Sequence, residues 1–183
     1  MHELVPLRRR RRRRRGHGPR AILALGLLGL GAIGLPLVGR PAPLLIYNAS
    51  ASAPLGLYRV LPADPIRRGD LVLAHTPPSA RGLAAERGYL PETVPLVKRV
   101  VAMVGDNVCV RDRAVSIDGR HVADQLVADA EGRPLPAWAG CRTLGPEEIF
   151  LLMADVSDSF DGRYFGPVPA SAVIGKLVPL WLR

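Results

Sequence analysis

Leu96-Val97-Lys98-Arg99-Val100-Val101-Ala102-Met103-Val104-Gly105-Asp106 is the stretch on which the reading of this chain turns. Apolar and β-branched residues dominate it, and a Gly-Asp pair closes it. That composition predicts a strand over 96–104 ended by a tight turn. The lysine inside it is unusual. The chain has 25 basic residues, and only Lys98 and Lys176 are lysine. An arginine does not give up its proton at any ordinary pH, whereas a desolvated lysine does. Leu96, Val97, Val100 and Val101 supply apolar surroundings, and burial lowers a lysine pKa. Lys98 is therefore a candidate general base.

Other short apolar runs bounded by turn residues read as strands at Gly56 to Leu61, Asp70 to His75, Asn107 to Arg111, Val115 to Ile117, Ile149 to Ala154 and Val173 to Leu182. Gly105-Asp106 and Asp118-Gly119 are hairpin-type turn signals. A helical patch is expected near Ser79 to Arg87 and a short turn near Pro146 to Glu148. The Gly- and Pro-containing segment Val122 to Arg142 reads as an extended insertion. The repeated pattern predicts a mainly β domain over 46–183, a small barrel or sandwich.

Ahead of it lies a different kind of sequence. Residues 1–20 hold nine arginines, Arg8 to Arg15 and Arg20, against one acid, Glu3. The remainder carries 16 basic and 15 acidic residues, so the net charge of +9 belongs to the tail. The body therefore has no basic surplus of the kind that attracts nucleic acid, and no nucleic-acid partner is expected. Ala21 to Gly39 follows without a charge. About 20 such residues span a bilayer, so 21–39 is expected to be an uncleaved transmembrane anchor. The arginine flank would keep the N-terminus in the cytoplasm and place the rest outside. Residues 40–45 read as a Pro-rich linker. The expected setting is a cytoplasmic membrane, with its lipids as one partner and the β domain on its outer side.

Cys109 and Cys141 lie in the part expected outside. One disulfide between them and two buried free thiols are both compatible with a separation of 32. With no histidine close by, they are poor metal ligands. Asp155, Asp158 and Asp161 have calcium-loop spacing but lack the closing glutamate. No metal or cofactor is expected.

A base needs a nucleophile. Ser52 sits in Tyr47-Asn48-Ala49-Ser50-Ala51-Ser52-Ala53-Pro54-Leu55-Gly56-Leu57-Tyr58. A serine hydroxyl attacks only when a base takes its proton. His2 and His17 fall on the tail, and His75 and His121 lie in no triad motif, so Lys98 is the base that remains.

Four segments in order resemble the type I signal peptidases, a family of Ser/Lys endopeptidases. They are Ser50-x-Ser52-x-Pro54; Arg68-Gly69-Asp70-Leu71-Val72; Lys98-Arg99-Val100-Val101 with Gly105-Asp106; and Asp155 through Ser157-Asp158-Ser159-Phe160-Asp161-Gly162-Arg163-Tyr164-Phe165-Gly166. The resemblance implies a signal-peptidase-like β fold. It implies Ser52 as nucleophile and Lys98 as base. It implies that Ser50 and the Ser52 backbone form an oxyanion hole, and that Ser159 orients the lysine. Asp161 and Arg163 would be a structural ion pair. Ala154 stands where the family has Gly, and Gly162 where it often has Ser. The pattern Asn48-x-Ser50-x-Ser52-x-Pro54-x-Gly56-x-Tyr58 resembles the TraF-type branch, which implies maturation of a conjugative pilin, a membrane-tethered precursor. Two rival functions are a general signal peptidase acting on preproteins, and an inactive anchored β domain serving as an assembly subunit.

Overall fold

The computed structural model describes residues 18–38 and 43–183. The arginine run and the first half of the expected linker, residues 40–42, lie outside these residues. The chain divides into two units, 1–41 and 42–183. In the first, helix α1 covers Pro19–Val38. Ile22, Leu23, Leu25, Leu27, Leu28 and Leu30 on it are exposed. Among the described residues, no helix is long and apolar enough to cross a membrane. The expected anchor at 21–39 is thus not supplied by the structure.

The second unit is mainly β. Its strands are β1 (Leu45–Asn48), β2 (Gly56–Leu61), β3 (Leu71–Ala74), β4 (Leu96–Ala102), β5 (Asn107–Arg111), β6 (Ala114–Ile117), β7 (Arg120–Asp124), β8 (Gly140–Thr143), β9 (Glu148–Leu152), β10 (Val168–Pro169) and β11 (Val173–Leu182). Helix α2 (Pro78–Glu86) follows β3, and the short helix α3 (Gly162–Phe165) follows β9. Seven strands form one sheet in the order β1-β2-β11-β3-β4-β9-β10, and four form another in the order β7-β6-β5-β8. Among the described residues the large sheet ends at β1 and β10, so of the expected barrel or sandwich the closed barrel is not formed.

Strand β9 explains how the two sheets share a core. Ile149 and Leu151 pack with Val72, Val100 and Val168, while Phe150 and Leu152 pack with Val108, Val110, Val115 and Ile117 of the small sheet. Both faces of β9 are covered, which is why it reads as a continuous apolar run rather than an alternating one. The small sheet alternates instead, as in Val108, Val110, Val115 and Ile117. Its hairpins turn on Asp112-Arg113 and Asp118-Gly119, all four with positive φ, the geometry that matches the twist of a two-residue hairpin. Only the second of these was legible, because Asp-Gly announces such a turn and Asp-Arg does not.

The insertion is shorter than expected. Arg120–Asp124 and Gly140–Thr143 at its ends are strands, paired to β6 and β5. Their side chains are mostly exposed, so burial leaves little alternation to read. Leu45, assigned to the linker, begins β1.

Candidate active site

Ser52 lies in the loop between β1 and β2, and Lys98 lies within β4, paired opposite Val72 of β3. The structure brings them together across 46 residues of chain: Lys98 Nζ is 2.9 Å from Ser52 Oγ. It is also 2.9 Å from Ser159 Oγ, on the loop after β9, 61 residues away. Lys98 and Ser159 are 3% and 2% exposed, so the amine is closed off from bulk water on the Ser159 side. Desolvation lowers the Lys98 pKa from its ordinary 10.5 to about 8. The Asp161 carboxylate opposes this, the Arg163 guanidinium adds to it, and Asp158 opposes it further. Burial disfavours the charged form of a lysine, and here it dominates the neighbouring charges. The result is an amine that is partly neutral just above neutral pH, within hydrogen-bond reach of a hydroxyl.

Ser50 sits beside the pair. Its Oγ is 3.0 Å from Ser52 Oγ and accepts the Ser52 backbone N–H at 3.4 Å. The hydroxyl and the N–H implied as oxyanion donors are thus adjacent, at the mouth of an open cleft of about 840 Å³ that includes Ser50, Ser52, Lys98 and Ser159. Ile46, Leu73, Leu96 and Val97 give the cleft an apolar floor. At its other end, the loop after α2 meets the insertion: Tyr89 donates to Asp129, whose carboxylate also accepts from Arg133 Nε at 2.6 Å.

Asp161 and Arg163 are buried at 0% and 1% exposure and paired at 2.9 Å. The Asp161 carboxylate also accepts the backbone N–H groups of Met153 and Arg163, the latter capping α3. The Arg163 guanidinium donates to the carbonyls of Met153, Val156 and Ser157, which fixes the turn that presents Ser159. Gly162 packs so tightly that a Cβ there would lie 2.6 Å from the Leu151 carbonyl oxygen and 2.8 Å from the Phe150 ring. A serine there would force the Leu151 backbone or the Phe150 ring to shift. Asp155 and Asp158 are exposed, and no group of three metal-ligating side chains forms among the described residues.

Cys109 and Cys141 face each other across β5 and β8 and form a disulfide, with Cα atoms 4.0 Å apart. It lies in the small sheet and contributes nothing to the cleft lining.

Several residues to which the motifs gave no role tie the segments of the site together. Gln125 donates to the Arg163 carbonyl oxygen at 2.5 Å, the Tyr164 hydroxyl accepts the Leu126 N–H at 3.1 Å, and the Trp138 indole donates to the Gly162 carbonyl oxygen at 3.1 Å. These bonds tie the insertion to α3. Asn48, at the end of β1, bonds the loop that carries Ser52. The pattern that resembles the TraF-type branch opens on Asn48 and so marks its position, but gives it no role.

The chain matches the model of the signal peptidase family, peptidase S26, over residues 19–181. It is 40% identical over 145 residues to the plasmid transfer protein TraF of Escherichia coli, covering 73% of this chain and 80% of that protein. The conjugal transfer protein TraF of Agrobacterium fabrum (strain C58 / ATCC 33970) is 38% identical over 144 residues, with the same coverage of each chain. The signal peptidase I of Leptolyngbya laminosa is 30% identical over 120 residues, covering 63% of this chain and 52% of that one. The chain belongs to the S26 signal peptidase family, and the peptidase character of that family extends to it.

Proposed function

We propose that this S26 family member is a membrane-anchored serine endopeptidase that matures a conjugative pilin precursor, with Ser52 as nucleophile and Lys98 as general base. The observation that carries the reading is the placement of Lys98 Nζ at 2.9 Å from both Ser52 Oγ and Ser159 Oγ, in surroundings that lower its pKa to about 8.

The chemistry proceeds in two proton-balanced halves. Neutral Lys98 takes the Ser52 hydroxyl proton as Oγ attacks the scissile carbonyl carbon. The negative charge on the carbonyl oxygen is met by the Ser52 N–H and the Ser50 hydroxyl, donors aimed at charge that appears only in the transition state. The tetrahedral intermediate collapses, the C–N bond breaks, and the Lys98 ammonium returns its proton to the departing amine. Lys98, neutral again, deprotonates the water that attacks the acyl-enzyme, and the second collapse restores the Ser52 hydroxyl. Ser159 holds the amine in line. Asp161 and Arg163 hold Ser159.

The pilin substrate is supported by the names of the relatives at 38–40% identity, which are conjugal or plasmid transfer proteins. The anchor and the extracytoplasmic placement are supported by the uncharged stretch 21–39 behind nine arginines. The substrate would then be a precursor tethered to the same membrane.

The decisive experiment has two arms. A β-lactam acylating probe should form an acyl-enzyme on Ser52 in the wild type, visible by mass spectrometry, and none in Ser52→Ala, Lys98→Ala or Lys98→Arg. Loss of activity on removing the nucleophile or the base is expected to exceed about 10³-fold. Co-expression with a pilin precursor should yield a shortened product with the wild type and intact precursor with Lys98→Ala. Labelling of Lys98→Arg at the wild-type rate would remove Lys98 from the mechanism. An intact pilin beside a cleaved general preprotein would assign the broader signal-peptidase role.

A further inference from the structure

The mechanism above leaves Asn48 unused, although it makes four of the hydrogen bonds nearest the nucleophile. It is the last residue of β1 and pairs with Gly56, the first of β2, so it stands at the base of the 49–55 loop. Its side chain is buried, at 5% exposure. The Asn48 Nδ2 group donates to the carbonyl oxygens of Ser50 at 3.0 Å, Ala53 at 3.1 Å and Pro54 at 3.1 Å. Its Oδ1 accepts the Ser50 N–H at 3.1 Å. The Tyr58 hydroxyl, on a ring buried in the core, donates to the Pro54 carbonyl oxygen at 2.7 Å. The loop's own backbone offers little by comparison: the bond from the Ala53 N–H to the Ser50 carbonyl is 3.4 Å long.

We infer that Asn48, seconded by Tyr58, is the positioning residue of the nucleophile: its amide binds the backbone on both sides of Ser52 and sets the distance from Ser52 Oγ to Lys98 Nζ. The inference rests on the reading of Ser52 as nucleophile. An asparagine side chain serves as a surrogate backbone in tight loops because it carries a donor and an acceptor in one plane. Here it replaces the backbone bonds that a seven-residue loop cannot make for itself. A misplacement of about 1 Å at a nucleophile costs on the order of 100-fold in rate, so the clamp acts on acylation rather than on substrate affinity. Neither Asn48 nor Tyr58 exchanges a proton with substrate.

The test uses the full chain in detergent at pH 9, where Lys98 is mostly neutral. The rate of β-lactam acylation of Ser52 is followed by mass spectrometry and divided by the final labelled fraction, so that misfolded molecules do not count. Asn48→Asp keeps the shape and the acceptor but sets an oxygen against three carbonyls. Asn48→Ala removes all four bonds. Both should acylate at least about tenfold more slowly per competent site. On a peptide substrate, kcat should fall while KM stays within about threefold. Tyr58→Phe, which keeps the buried ring, should slow acylation by about threefold. Wild-type acylation rates in the two Asn48 variants would overturn the inference. Should those variants fail to fold, a wild-type rate in Tyr58→Phe would overturn it instead. If the wild type itself is not labelled on Ser52, the nucleophile assignment fails first and takes the clamp with it.

Discussion

The seven-stranded sheet buries Lys98 on β4, and the segment after β9 buries Asp161 and Arg163; the strands of the four-stranded sheet bury Val108, Val110, Val115, Ile117 and Ala123 and no charged side chain. The two sheets share the apolar residues of β9, so the contrast is not one of solvent access. It lies in the hydrogen bonds each region can offer. Arg163 donates to four backbone carbonyls and to the Asp161 carboxylate, and among the described residues no buried side-chain polar atom lacks a partner. A buried charge costs several kcal/mol unless it is paired and bonded in this way. The small sheet avoids that cost by carrying no such group, and ties its edge strand β8 to β5 with a disulfide instead. One region keeps buried charged groups in fixed places around the proposed site; the other holds its shape by packing and a covalent link.

The comparison breaks most visibly at Asp161. Asp161→Ala leaves the Arg163 guanidinium buried without its counter-charge and should cost about 3–5 kcal/mol, read from urea denaturation. Asp161 also opposes the downward shift at Lys98, so whatever protein folds should show its acylation midpoint moved to lower pH. An unchanged stability would mean that the pair is not structural.

In the small sheet, replacing both Cys109 and Cys141 by serine should cost up to about 3–4 kcal/mol, the loop-closure entropy for a separation of 32 residues. Acylation per folded molecule should stay at the wild-type rate. A matching fall in that rate would show that the small sheet positions the site, and the division between the regions would dissolve.

Lys98 sharpens the contrast through pH. Its pKa is about 8 in the folded chain against an ordinary 10.5, so the unfolded chain binds this proton more tightly. Below pH 8 both states are protonated, and the folded state carries the whole penalty of a buried ammonium. Between pH 8 and 10.5 the folded state is already neutral, so stability should rise with pH by up to about 3 kcal/mol from this group. Lys98→Met should lack that rise in denaturation curves taken across the window. Activity of the wild type should climb through about pH 8 for the same reason, since only the neutral amine accepts the Ser52 proton. A profile turning near 6.5 would point to a histidine instead.

The smallest effect is expected at the other lysine. Lys176 Nζ donates to the Pro65 carbonyl oxygen at 3.0 Å in an exposed position. Lys176→Arg can keep that bond and should change stability by less than about 1 kcal/mol and activity not measurably. A large loss there would mean that the base has been assigned to the wrong lysine.

Period-two burial is a local property, so the strands that have it could be read directly. β2, β5 and β11 fall on the expected residues, and α2 lies within a residue of its patch. β1, β7, β8 and β10 were not read, because they are short or mostly exposed and little separates them from loop. The candidate site residues stand out for another reason. A lysine in a chain of arginines and a serine pair before Pro54 stand out by type alone, and four motifs in order identify a family. What local pattern cannot encode is which strand lies beside which. The strand order β2-β11-β3-β4-β9 brings Ser52 and Ser159, 46 and 61 residues from Lys98, each to 2.9 Å from its amine. In the other sheet, the pairing of β8 with β5 decides that Cys109 meets Cys141. Residue type determined which groups could do chemistry here; long-range strand pairing, driven by burial of both faces of β9 and its neighbours, decided which of them meet.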